Sequence, residues 1–252
     1  MDRDLAWDGC HNVRDLGGLR AEGGRRTRWG AVIRSDTPDR LTEAGWAAAA
    51  AHGVRTIVDL RTPGEHRAGT GFRPPGMTVV DVPLHDPGET CRHGGTPLYL
   101  RPFLERRPDR CARVLRVIAQ APPGGVLVHC VAGRDRTGLI AMLLLALAGV
   151  GAPDILADYE RSAARLSPLY ARLGQPDDDL RVRAYLAGAG TTAREVVLAL
   201  LDGLDAEDRL RAGGLGTSDL AALRARLTVV DEGRGEDAGV VVAVEDGGGA
   251  AR

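Results

Sequence analysis

Val126-Leu127-Val128-His129-Cys130-Val131-Ala132-Gly133-Arg134-Asp135-Arg136-Thr137-Gly138-Leu139-Ile140 is the stretch on which the fold turns. After the stop signal Pro122-Pro123-Gly124-Gly125, three aliphatic residues read as a short buried strand. A glycine-containing loop follows at once, and Leu139 to Leu147 reads as an apolar helix. Strand, tight loop, helix is the repeating unit of an α/β protein, and it delivers the loop to a helix N-terminus.

The loop has the residues that phosphate chemistry needs. A phosphate monoester dianion wants converging backbone N–H donors and positive charge, which a tight loop at a helix N-terminus supplies. Val131, Ala132, Gly133, Arg134, Asp135, Arg136 and Thr137 are the predicted phosphate-binding segment. The planar fork of Arg136 suits two phosphoryl oxygens at once. The same field favours a thiolate at Cys130, which can attack phosphorus in line and form a cysteinyl-phosphate that water hydrolyses. Thr137 is placed to hydrogen-bond the sulfur as it leaves, and His129 to orient the loop. No metal or cofactor is required. A Cys with Arg six positions on is expected about 0.5 times by chance at this composition. Adding the preceding His, the inner Gly and the hydroxyl residue lowers that to about one in ten thousand. A buried core thiol is the competing explanation for Cys130, and it leaves the arginine spacing unexplained. For Cys10, Cys91 and Cys111 a structural thiol is the better expectation.

Outward from this stretch, the pattern alternates strands and helices and then becomes helical. Thr42 and Glu43 open an alanine-rich helix to Ala51 that closes near Gly53. Val54 to Leu60 and Met77 to Leu84 read as strands, with a loop from His85 to Pro97. Cys111 to Gln120 has helical spacing. Beyond Pro153, helices are expected over Ile155 to Leu166, around Leu180 to Leu186, over Thr192 to Leu204, and over Thr217 to Leu227 with Thr217 as N-cap. This predicts one α/β domain over residues 1–230, a central, mostly parallel sheet with helices on both faces, and a Gly- and acid-rich tail over 231–252.

The chain has 252 residues, 33 basic and 34 acidic, for a formal net charge of −1. That balance argues against nucleic-acid or polybasic membrane partners. Every basic residue is arginine, which excludes Schiff-base chemistry and the lysine-dependent nucleotide loop. Four cysteines without C-x-x-C spacing make neither a disulfide scaffold nor a zinc site. With no signal-like start, and an apolar run from Leu139 to Ala148 too short for a bilayer, the expected location is cytoplasmic. The expected partner is a phosphorylated protein or a small phosphomonoester. The sequence sets no oligomeric state.

His129 to Gly138 resembles the phosphate loop H-C-x-A-G-K-D-R-T-G of the bacterial tyrosine-protein phosphatases related to tyrosine phosphatase B. The resemblance extends to Asn12-Val13-Arg14-Asp15-Leu16-Gly17-Gly18, Arg34-Ser35, Leu41-Thr42-Glu43-Ala44-Gly45, Gly53-Val54, Asp59-Leu60-Arg61 and Asp158-Tyr159, and so spans most of residues 7–230. It implies the α/β cysteine-phosphatase fold and phosphotyrosine-type hydrolysis. The family's loop lysine is Arg134 here. In the family that lysine and the next aspartate are tied to dual phospho-residue and phosphoinositide activity, and the swap argues against carrying that activity over to this chain.

A leaving alkoxide or phenolate needs a general acid. Asp59, Asp81, Asp86, Glu89 and Asp135 are the candidates. Asp59 beside Arg61 is expected in an internal ion pair, and Asp81 is expected to face solvent. Asp86 stands where the family carries its acid and is preferred, with Asp135 inside the phosphate loop second. The competing functions are a metabolite phosphatase of the same chemistry and an inactive phosphate-recognition module. The segment from Ala163 to Tyr185 is a candidate cover for the site.

Overall fold

The computed structural model describes residues 2–66, 75–86, 88–89 and 95–231. Its strands are β1 (Arg14–Asp15), β2 (Arg20–Ala21), β3 (Arg25–Thr27), β4 (Val32–Ser35), β5 (Val54–Asp59), β6 (Thr78–Asp81), β7 (Gly125–His129) and β8 (Thr228–Val230). Its helices are α1 (Glu43–Ala51), α2 (Leu100–Arg106), α3 (Pro108–Gln120), α4 (Asp135–Leu147), α5 (Ala152–Arg172), α6 (Asp178–Gly188), α7 (Ala193–Leu201), α8 (Ala206–Ala212) and α9 (Thr217–Leu227). The main sheet runs β1-β4-β7-β5-β6. β4, β7, β5 and β6 are mutually parallel, and β1 is an antiparallel edge on β4. A second, antiparallel sheet, β2-β3-β8, ties the chain's end to its beginning.

Side chains alternate across the main sheet as the strand period of two requires. Val32, Val58, Val126 and Val128 face the larger core with α3 and α4. Ile33, Ile57 and Leu127 face a smaller one with Trp7 and the α1 residue Ala49. All five residues of β7 are buried, as a central parallel strand demands. α4 is buried almost all round, including Leu139, Ile140, Met142, Leu143 and Leu144. Its alternative to burial would be a long apolar surface, so hydrophobicity fixes it behind the sheet. Among the described residues no helix is long and apolar enough to cross a membrane.

Most expected elements form, with some corrections. Thr42 caps α1 by accepting from the Gly45 amide at 3.2 Å. Met77 to Leu84 narrows to the four residues of β6, an edge strand that is only half covered. Thr217 is the first helical residue of α9 and not its cap. Gly216 takes that place, and Thr217 Oγ1 accepts from Arg211 at 3.0 Å. The short strands β1, β2, β3 and β8 and helices α2 and α8 have too little periodicity to be seen in sequence. Cys91, with residues 87, 90 and 92–94 of the loop from His85 to Pro97, and the tail beyond Asp231 lie outside the described residues.

Candidate functional site: the loop between β7 and α4

β7 ends between β4 and β5, so the loop from Cys130 to Arg134 emerges at the centre of the sheet's C-terminal edge. Ligands of parallel α/β sheets bind there. Cys130 and Arg136 open into a cavity of about 320 Å³, whose lining also includes Glu65, His85, Asp86 and Tyr99. Val131, Ala132, Arg134 and Asp135 contribute to the same wall. Gly133 sits at φ +68, and a Cβ there would lie 2.3 Å from the Ser35 carbonyl oxygen. No other residue fits that turn. The amide of Gly133 donates to Cys130 Sγ at 3.3 Å.

Every carbonyl of this loop is held from outside. Val131 O accepts from the Thr37 amide at 2.9 Å, and Ala132 O from Asn12 Nδ2 at 3.0 Å. Arg34 Nη2 donates to both Gly133 O, at 2.7 Å, and Arg134 O, at 3.2 Å. His129 lies between the loop and the neighbouring strand. Nδ1 lies 3.1 Å from Cys130 O, and Nε2 lies 3.6 Å from Asp59 Oδ2. Burial holds its pKa below the ordinary histidine value. Asp59 is as expected, with both oxygens on Arg61 at 2.7–3.0 Å. Burial alone would raise the Asp59 carboxyl, but Arg61 and His129 outweigh it and the pKa falls. Arg61 reaches on to Thr37 and Asp39. Asp81 is exposed. Asp59, His66 and Asp81 bring ligand atoms within 4.8 Å of one another, but Asp59 is committed to Arg61.

The cleft side is made of ion pairs. Arg136 places Nη1 and Nη2 each 2.6 Å from one oxygen of Glu65. Two of its five N–H donors are used on Glu65 among the described residues. Burial would raise Glu65, but Arg136 and the Thr62 amide hold it down at about 2. Glu65 escaped the sequence reading, although Thr62-Pro63-Gly64-Glu65 carries the capping signature that forms here, with Thr62 N donating to Glu65 at 2.9 Å. Arg134 is buried against Asp135 (3.3 Å), Asp178 of α6 (2.9 Å) and Gly95 O (3.0 Å). The segment Ala163 to Tyr185 therefore reaches the cleft through Asp178.

Asp86 lines the cleft, but its carboxylate turns to α3. Arg110 lies 2.5 and 2.6 Å away, and Arg107 lies 3.5 Å away. Hydrogen bonds from Arg110 keep it below the usual carboxylate range. Glu89 bonds the Asp86 amide at 3.0 Å. Asp135 accepts from the buried Tyr159 hydroxyl at 2.7 Å. The expected Thr137 bond to sulfur is not made. The residue is wholly buried in the first turn of α4, its Oγ1 has no partner among the described residues, and the sulfur accepts from Gly133 instead. Cys10 and Cys111 are buried thiols, pushed up by desolvation, and neither lines the cleft.

A cysteine thiol under a loop amide, at the threshold of a buried helix and sharing a cleft with an arginine, has the chemistry of sites that hold oxyanions. Residues 5–229 match the tyrosine phosphatase family, and the chain belongs to it. A Cupriavidus necator protein provisionally named a tyrosine-protein phosphatase is 35% identical over 237 residues, which cover 86% of this chain and 81% of that one. Triple specificity protein phosphatase PtpB of Mycobacterium tuberculosis is 29% identical over 204 residues, 66% of this chain and 72% of that one. A crystal structure of P. aeruginosa TpbA in complex with phosphotyrosine aligns at 19% identity and a TM-score of 0.43, covering 85% of this chain and 100% of that one.

Proposed function

We propose that this chain hydrolyses phosphate monoesters through a cysteinyl-phosphate, with phosphotyrosine as the preferred class of substrate. The observation that carries this is the Gly133 amide aimed at Cys130 Sγ, with the Arg136 fork opening on the same cleft. The Cys130 thiolate attacks phosphorus, the P–O ester bond breaks, and the leaving oxygen takes a proton from a carboxylic acid. Water then attacks phosphorus and the P–S bond breaks, while the same carboxylate takes the water proton. Arg136 and the loop amides hold the equatorial oxygens through both steps. Asp86 is the acid in this scheme once its carboxyl leaves Arg110 and turns inward. Asp135, already in the loop, is the alternative.

Two features favour a singly phosphorylated aromatic substrate. His85 and Tyr99 line the cleft with ring centroids 5.7 Å apart and offer flat apolar walls beside Cys130. Arg134 is committed to Asp135, Asp178 and Gly95, which leaves it poorly placed for a second phosphate. Bis-phosphorylated inositol lipids are therefore expected to be poor substrates. The test is turnover of an aryl phosphate and a phosphotyrosine peptide by the native chain and by Cys130→Ser. The expected result is EDTA-insensitive hydrolysis that falls at least about 10⁴-fold in the variant. Retained turnover, or dependence on added divalent metal, overturns the mechanism. A metabolite phosphomonoester outpacing the peptide in kcat/KM overturns the substrate class.

A further inference from the structure

Behind the phosphate loop, and not among the cleft-lining residues, lies a cluster of buried charge. Asp158 of α5 accepts from Arg14 Nε at 3.0 Å and Arg34 Nη1 at 2.6 Å, and Arg3 pairs with it as well. Arg14 and Arg34 are the largest fully buried side chains of the molecule's described part. Ser162 Oγ accepts from Arg14 at 3.0 Å, and Arg14 Nη1 donates to Asn12 Oδ1 at 2.6 Å. Burial would raise Asp158, but Arg14, Arg34 and Arg3 hold it far below the carboxylate range. Burial and the like charge of Arg34 lower Arg14 to about 9, still protonated at neutral pH. Three guanidiniums share one carboxylate, so the cluster is net positive.

We propose that Asn12, Arg34 and Asp158 are positioning residues that set the phosphate loop's amides, and that the cluster's excess positive charge supports the oxyanion from behind. This rests on the loop being the phosphate site. In a planar trans peptide the C=O of one residue and the N–H of the next point opposite ways. Asn12 pulls Ala132 O outward, and the amide of the same peptide, Gly133 N–H, is the one that meets Cys130 Sγ. By the same geometry, Arg34's grip on Gly133 O and Arg134 O turns the Arg134 and Asp135 amides towards the cleft side. Asp158 and Arg14 have no contact with the loop carbonyls, and their work is to hold Arg34 and Asn12 in register. Burying Arg14 and Arg34, with Arg3 half-buried beside them, is costly when only one carboxylate matches them. A bound oxyanion therefore gains from a charge already desolvated beneath it.

The measurement is the inhibition constant of inorganic vanadate, alongside kcat, KM and thermal stability, for the full chain, Asn12→Ala and Arg34→Lys. Asn12→Ala removes one loop bond and the acceptor of Arg14 Nη1, and leaves the charges of the cluster in place. Arg34→Lys keeps the charge but cannot hold Asp158 and two carbonyls together. In folded Asn12→Ala the vanadate constant should rise about tenfold, with a matching fall in kcat that exceeds the change in KM. Arg34→Lys should rise by at least as much. A purely structural role would lower Tm and leave vanadate affinity of the folded protein unchanged. Native vanadate affinity in folded variants overturns the proposal, and if Asn12→Ala does not fold, Arg34→Lys decides alone. A native chain that neither binds vanadate nor hydrolyses aryl phosphate overturns the reading of the site itself, a result distinct from either.

Discussion

The two sides of the phosphate loop are built from the same residue types and behave in opposite ways. On the cleft side, Arg136–Glu65 and Arg110–Asp86 join mostly covered arginines to acids that are 31% and 50% exposed, so a substrate can take the acid's place. On the far side, Arg14, Arg34 and Asp158 are at most 1% exposed, and they bond to one another, to the loop and to the half-buried Arg3. Exposed pairs contribute roughly 0–1 kcal/mol and can open for a substrate, whereas breaking a buried one by deleting a partner costs about 3–5 kcal/mol. A site that must bind, react and release needs its movable charges in front and its fixed ones behind.

The largest effect should come from breaking the far side outright. Asp158→Asn leaves three arginines facing one neutral amide, and Tm should fall by about 10 °C or more. Calorimetry that finds less than a degree of change would mean the cluster is no scaffold. On the cleft side, Arg136→Lys should leave Tm nearly unchanged but cut kcat for aryl phosphate by about 10³-fold. An ammonium cannot make the two parallel bonds to equatorial oxygens.

Smaller effects separate the members of the cleft side. Asp86→Asn should lower kcat/KM for a poor leaving group by about 10²-fold and barely change a dinitrophenyl phosphate. Equal losses would transfer the acid role to Asp135, to be tested as Asp135→Asn. The least effect belongs to Glu65→Gln. Glu65 is held at about 2, below its unfolded value, so its ion pair stabilises the fold above the unfolded pKa and is lost as pH falls towards 2. Melting between pH 5 and pH 2.5 should show the variant losing about 2–4 °C less than the native chain. Identical slopes would mean Arg136 does not stabilise the ionised carboxylate.

The cleft side was the more legible of the two. Cys130, Arg136 and the loop between them are contiguous, and contiguity is what a motif records. The expected Asp59–Arg61 ion pair also formed, because the two residues are two apart in the chain. Glu65 was passed over although its capping signature lies in Thr62 to Glu65. Thr137 makes no bond to the sulfur, which accepts from the Gly133 amide instead. Asp86 could be placed in the cleft from its position after β6, but its turn towards Arg110 depends on α3, which packs there only in the folded chain.

Composition, the strand-loop-helix order and the spacing of Cys130 and Arg136 were enough to determine the α/β class and to single out the loop proposed to bind the oxyanion. They act over a few residues, where backbone geometry leaves little choice. Tertiary structure alone decided that Asn12, Arg34 and Asp158, some 120 and 100 residues before the loop and some 25 after it, meet behind it. Their bonds form only once β4 lies beside β7 and α5 has docked, because a buried charge is stable only where its partners have been brought to it.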